Sequence, residues 1–190
     1  MVPDLNNCLS IKEKLKREEN KFIHLRAETL CQKKFPHSFQ LLGRKIGPFK
    51  VGHTYTMENY IARIFVESGY LTYTDEYHVN SKTIQKINFE ESTERQLKKI
   101  KDLIYIQSRE QMKIAKTHYE NEDLSYRLMK QLFSDVNDLI SVRLAKIGRL
   151  ARFSKNLDAK KKLTDEELIL FQELRNSIQE WQDYLRSPEK

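Results

Sequence analysis

Apolar residues recur every three or four positions along the second half of the chain and far less regularly along the first. Leu124, Leu128, Leu132, Val136, Leu139, Ile140, Leu144, Ile147 and Leu150 predict one long amphipathic helix. Thr164 followed by Glu167 forms a capping-box pattern, in which the hydroxyl takes the amide three residues on and the carboxylate reaches back. Behind it Phe171, Leu174, Ile178, Trp181 and Leu185 run at 3-4-3-4 spacing, a narrow stripe suited to a helical bundle with Phe171 and Trp181 in its core. Leu97, Ile100, Leu103, Ile104 and Ile106 mark a further long helix, with a break expected at Asn121-Glu122-Asp123. No proline falls between Asn88 and Pro188, so a helical domain is expected over 88–190.

The first half has another texture. Ser10 and Glu13 make a second capping box, and Ile11, Leu15, Phe22, Leu25 and Leu30 predict a helix that ends before Pro36, giving an N-terminal helical segment over 1–36. Four of the five glycines then fall between Gly43 and Gly69. Phe39–Leu42 and Phe49–Val51 are strand candidates separated by turns. Thr56 is expected to cap a short helix carrying Met57, Ile61, Ile64 and Phe65, which Gly69 stops before a strand at Tyr70–Tyr73. The fold class predicted is therefore mainly α: a C-terminal helical bundle with a small α/β module over 37–80.

Composition adds limits. The chain has 190 residues, 39% apolar and 32% charged, enough to bury a core. Its longest apolar runs, Leu103–Ile106 and Leu168–Phe171, are too short to span a bilayer, so a soluble intracellular protein is expected. Cys8 and Cys31 show no metal or redox spacing and read as reduced. No glycine-rich phosphate loop, nucleophile elbow or zinc-binding helix is present, and His24, His37, His53, His78 and His118 are scattered. The adjacent acids Asp75-Glu76, Glu90-Glu91 and Asp165-Glu166 point in different directions and make poor dyads. A non-enzyme without cofactor or metal is expected.

The net charge of +7 equals the excess within 142–162, where Arg143, Lys146, Arg149, Arg152, Lys155, Lys160, Lys161 and Lys162 face only Asp158. Three readings stand: a phosphate-binding patch, a solvated face, or Arg143 and Lys146 paired with acids of a neighbouring helix. Tyr55, Tyr60, Tyr70, Tyr73 and Tyr77 enrich the module in tyrosine, which fits either a partner-docking surface or the packing of a small core.

Two stretches resemble a known family. Val142-Arg143-Leu144-Ala145-Lys146-Ile147, then Leu163-Thr164-Asp165-Glu166-Glu167 and the helix through Trp181-Gln182-Asp183-Tyr184-Leu185, look like the helical A domain of GINS replication factors. There an RLxKI helix leads through a loop to an LxxEE helix start. Ile46-Gly47-Pro48-Phe49-Lys50-Val51-Gly52 through Ala62 to Gly69-Tyr70 is similar to the family's small β-rich B domain, and the order matches the B-then-A subunit class.

The resemblance implies an architectural role in DNA replication. GINS subunits assemble through their helical domains into homo- or hetero-tetramers. These scaffold the MCM helicase and a RecJ-like, Cdc-type partner, with at most a weak DNA contact and none to membrane. It places such a subunit at the nucleoid of an archaeal cytoplasm or in a eukaryotic nucleus. Carried onto this chain, Arg143, Leu144, Lys146 and Ile147 would lie on a structural or subunit-contacting helix, with Phe171, Leu174, Ile178 and Trp181 as further interface candidates. Gly47, Gly52, Ala62 and Gly69 would shape the B-like module. The competing expectation is a nucleic-acid-binding helical protein that uses 142–162.

Overall fold

A computed structural model describes residues 9–74, 79–120, 125–153 and 160–187. Among them the chain forms six helices and five strands, mainly α, with the strands confined to the first half.

Helix α1 (Ile11–His24) opens with the expected capping box: Glu13 donates its amide to Ser10 Oγ at 3.3 Å, and the Ser10 amide donates to Glu13 Oε2 at 2.8 Å. It ends sooner than the apolar spacing suggests. Leu25 turns extended, and Arg26–Cys31 becomes β1, the central strand of a three-stranded antiparallel sheet ordered β4-β1-β5, with β4 at Thr54–Glu58 and β5 at Leu71–Tyr73. The helix predicted up to residue 34 is therefore corrected. What decides this stretch is a period of two in small residues, with Ala27, Thr29 and Cys31 all buried. A search for large apolar side chains passes over them.

Between β1 and β4 the chain makes a long excursion. Phe35 and Phe49 bridge its base, and β2 (Phe39–Leu41) pairs with β3 (Arg44–Ile46) towards a tip at Leu42-Gly43. Phe49 makes only that single bridge, so the strand expected over 49–51 is reduced to one residue. Gly47 has φ +76°, and a Cβ there would stand 2.4 Å from the His37 carbonyl oxygen, so no other residue fits this crossing. Helix α2 (Asn59–Glu67) starts at Glu58 rather than Thr56, which lies within β4. It lays Ile61, Ala62, Phe65 and Val66 on the sheet and closes before Gly69, whose φ of +71° returns the chain into β5.

The helical body begins with α3 (Ser81–Thr93), capped where Asn80 Oδ1 accepts the Thr83 amide at 2.9 Å. The long helix expected to carry Leu97, Ile100, Leu103, Ile104 and Ile106 begins later than its apolar spacing suggests. Residues 94–103 are non-helical, Leu103 takes φ +67°, and α4 (Ile104–Glu120) starts afresh. The apolar spacing persists across the break because Leu97 and Ile100 are also buried, in different clusters. Helix α5 (Tyr126–Phe153) and helix α6 (Asp165–Arg186) follow as expected, and Thr164 and Glu167 form the second capping box. The predicted break at Asn121–Asp123, together with Leu124, Cys8, Asp75, Glu76, Tyr77, His78, Lys155 and Asp158, lies outside the described residues.

Three apolar clusters hold these elements. The module core gathers Ala27, Cys31, Ile46, Phe49, Ile61, Phe65, Leu71 and Tyr73. A second joins α3, α4 and α5 through Ile84, Ile104, Leu132, Val136 and Leu139. A third sets Ile147 and Ala151 against Phe171 and Leu97. Module and body meet where Ile114 packs on the module core and Arg63 Nε lies 3.4 Å from the buried Glu110.

Candidate functional site

Position 143 lies on the inner face of α5, between Leu139 and Ile147, where an aliphatic side chain would be ordinary. Instead Arg143 is fully buried, at 0% exposure. Its Nε and Nη2 donate to the two oxygens of Glu167 at 2.7 and 2.5 Å, and Nη1 donates to Glu91 Oε1 at 2.9 Å. The backbone carbonyls of Lys98 and Lys162 accept from Nη1 and Nη2 at 2.8 and 3.2 Å. One turn on, Lys146 donates to the other Glu91 oxygen at 2.5 Å and to the Gln96 carbonyl at 3.0 Å. Tyr105 of α4 donates its hydroxyl to Glu167 at 2.6 Å. Two cations and two carboxylates, all buried and all hydrogen-bonded, thus tie α3, α4, α5 and α6 together.

The local sequence explains the placement. Glu167 is the third residue of α6, so its capping role already turns it inward, and its Oε2 accepts the Thr164 amide at 3.1 Å while meeting Arg143. Glu91 reaches the other side of the guanidinium from the last turns of α3. Burial works against the Arg143 charge, but Glu167 and Glu91 more than restore it and hold its pKa above the ordinary value. Burial, the nearby Glu167 charge and the hydrogen bond to Glu167 push the Tyr105 phenol far above its usual range. Removing one partner from such a buried set leaves an uncompensated charge and costs about 3–5 kcal/mol.

Above the ionic core lies a groove of about 290 Å³, lined by Ile11, Leu15, Ile106, Ile140, Leu144 and Leu170. Ile11, Leu15, Ile140 and Leu144 are exposed, an aliphatic strip drawn from α1 and α5. Glu166 also lines the groove. Burial raises its pKa, and the nearby Thr164 hydroxyl and its own backbone amide offset that only in part. At the far end of α6, Trp181, Tyr184 and Leu185 are exposed, with Trp181 at 63%. The expectation that Trp181 belongs to the bundle core is thus corrected: the stripe is buried at Phe171, half-buried at Leu174 and Ile178, and then runs past the end of the body.

No protein-family model and no curated protein sequence matches the chain. Its own geometry therefore sorts the candidates. Of the basic residues over 142–162, Arg143 and Lys146 are consumed by the ionic core, which selects the reading in which they pair with neighbouring helices. Arg152 stacks over the Phe153 ring at 5.1 Å and Lys160 over Phe171 at 5.5 Å, and Lys161 is likewise engaged. Arg149 and Lys162 complete the described part of that region. The tyrosines resolve as module packing: Tyr73 is buried with its hydroxyl donating to Asn59 at 2.7 Å, Tyr55 Oη accepts the Lys50 amide at 2.9 Å, and Tyr60 and Tyr70 pack half-buried on the same core.

Glu91 and Tyr105 were missed as members of the core. The signal for Glu91 was the Glu90-Glu91 pair: Glu91 turns inward, while Glu90 lies 4.0 Å from Lys98. Tyr105 left no trace in the sequence, because its partner lies 62 residues away. Among the described residues no helix is long and apolar enough to cross a membrane.

Proposed function

We propose that this chain is a non-catalytic subunit of a GINS-like replication complex, scaffolding an MCM-type helicase and a RecJ-like partner through its helical body. One observation carries the reading. The two short segments behind the resemblance, Arg143-Leu144-Ala145-Lys146-Ile147 and Leu163-Thr164-Asp165-Glu166-Glu167, meet in space, with Arg143 seated on the Glu167 cap. RLxKI and LxxEE become two halves of one buried ionic joint, which gives both spellings a physical reason to occur together. The aliphatic strip of Ile11, Leu15, Ile140 and Leu144 and the exposed α6 end at Trp181 and Leu185 supply uncovered apolar area for other subunits, whether further copies or unlike chains.

The test is affinity capture of the tagged chain from native extract, with mass spectrometry of what elutes. A second GINS-type subunit together with the MCM helicase is expected, and Leu144→Asp with Trp181→Ala should deplete both. Recovery of neither from extract that contains them ends the reading. Nucleic-acid binding through 142–162 is the competing function, and it loses Arg143 and Lys146 to the protein interior.

A further inference from the structure

Charges outside 142–162 sum to zero, yet they are not evenly spread. Between Glu28 and Glu58 there is no acidic residue at all, while Lys33, Lys34, Arg44, Lys45 and Lys50 all occur. That interval contains the whole β2–β3 excursion. The inward face of the excursion is apolar: Phe35 and Phe49 pair at its base, and Phe39 contacts Phe35 and Phe65 with ring centroids 6.5 and 6.1 Å away. Side chains alternate along extended chain, so Lys34 and Lys50, each adjacent to a bridged phenylalanine, project from the opposite face. Lys45 stands across from Gln40, one step out of phase with the inward Ile46 and Phe39, and so shares that outer face.

We infer that this outer face binds the phosphodiester backbone of a nucleic acid, with Lys34, Lys45 and Lys50 as its cationic contacts. Of the other two cations of the interval, Arg44 pairs with Glu58, and the Lys33 ammonium is turned towards Gly69, just past the end of α2. Lys34, Lys45 and Lys50 are exposed and have no acidic partner among the described residues. This contrasts with 142–162, where four of the seven described cations, Arg143, Lys146, Arg152 and Lys160, already meet a carboxylate or a ring.

The arrangement suits a polyanion better than a lipid surface. Of the exposed apolar residues of the excursion, Phe39 lies on the opposite, core-facing side against Phe65, while Leu42 and Val51 sit at the tip and beyond the base. One bilayer interface cannot take both while the lysines lie flat between them. A phosphate backbone can instead run the length of the face, with Gln40 offering a hydrogen bond midway. The surface shares no residue with the apolar strip of the helical body, so it stands or falls separately from the subunit assignment.

The test is fluorescence anisotropy of the full chain with a short labelled single strand and the matching duplex over a salt series, with sedimentation against phosphatidylserine vesicles alongside. The wild-type chain is expected to bind an oligonucleotide, and the tighter of the two probes identifies the strand form. Lys34→Glu with Lys45→Glu and Lys50→Glu should weaken binding at least about tenfold and flatten the slope of log affinity on log salt by about two. Arg149→Glu with Lys162→Glu should change affinity by less than about threefold. If circular dichroism shows the reversed variant misfolded, the three glutamine substitutions replace it, with a loss of about fivefold expected. Binding of vesicles but neither oligonucleotide overturns the inference, as does a hairpin variant that folds and binds like wild type.

Discussion

The two halves of this molecule solve the same packing problem with opposite chemistry. The module core is built from rings and aliphatic residues: Phe65 meets Phe35 and Phe49 edge to face, as Tyr70 meets Phe35, at centroid distances of 4.9–5.4 Å, and Phe35 lies tilted to Phe49 at 5.8 Å. The helical body has aliphatic clusters too, but where four of its helices converge it places Arg143, Lys146, Glu91 and Glu167. An aromatic core tolerates adjustment, because its contacts are many and individually weak. A buried ionic joint tolerates little: each charge was costly to desolvate and is compensated only by partners in fixed positions. The body therefore has one geometry at that joint, whereas the module has some slack.

Four tests probe that contrast, from the largest effect downward. Arg143→Ala strands two buried carboxylates and should cost about 3–5 kcal/mol in urea unfolding. Arg143→Lys should rescue little of it, since an ammonium cannot span two carboxylates and two carbonyls at once. If the alanine variant loses less than about 1 kcal/mol, the joint is solvated rather than buried. Next come the two capping boxes, alike in sequence but not in setting. Thr164→Ala also loosens the loop that holds Glu167 against Arg143 and should cost about 2 kcal/mol, while Ser10→Ala at the exposed box should cost about 0.5–1 kcal/mol. Equal losses would mean that the ionic joint does not depend on the cap.

In the module, Phe49→Leu keeps most of the buried volume and should cost under about 1.5 kcal/mol despite 3% exposure. The smallest effect concerns pH. The Tyr105 and Tyr73 phenols titrate above their usual 10.0 in the folded chain, held there first by burial and then by nearby carboxylates. The unfolded chain releases those protons first, so their contribution is complete below pH 10 and declines as pH rises beyond it. Tyr105→Phe and Tyr73→Phe should each flatten that alkaline decline in thermal melts, and a decline that neither changes would mean that the fold does not hold these phenols protonated.

Much of this was open to reading in advance where a local rule governs a local outcome. Both capping boxes, the stop at Gly69 and the long α5 stripe follow from interactions among residues within a turn or two of one another. The boundary between α1 and β1 did not follow, since Phe22 and Leu25 keep helical spacing up to the boundary and only pairing with β4 and β5 makes Arg26–Cys31 extended. Nor could Trp181 be told from Phe171, which sits on the same stripe. Only the reach of the neighbouring helices decides that one is covered and the other bare.

The sequence by itself determined the mainly α class, the order of module then body, and the concentration of positive charge over 142–162. Periodicity, capping and composition are properties of the chain alone. The tertiary structure decided what that charge is for, because pairing across 24 and 52 residues turns Arg143 from a surface cation into the centre of the interior. It also brought three lysines onto one face of the hairpin, since only the fold determines which side of an extended chain is already taken by its core.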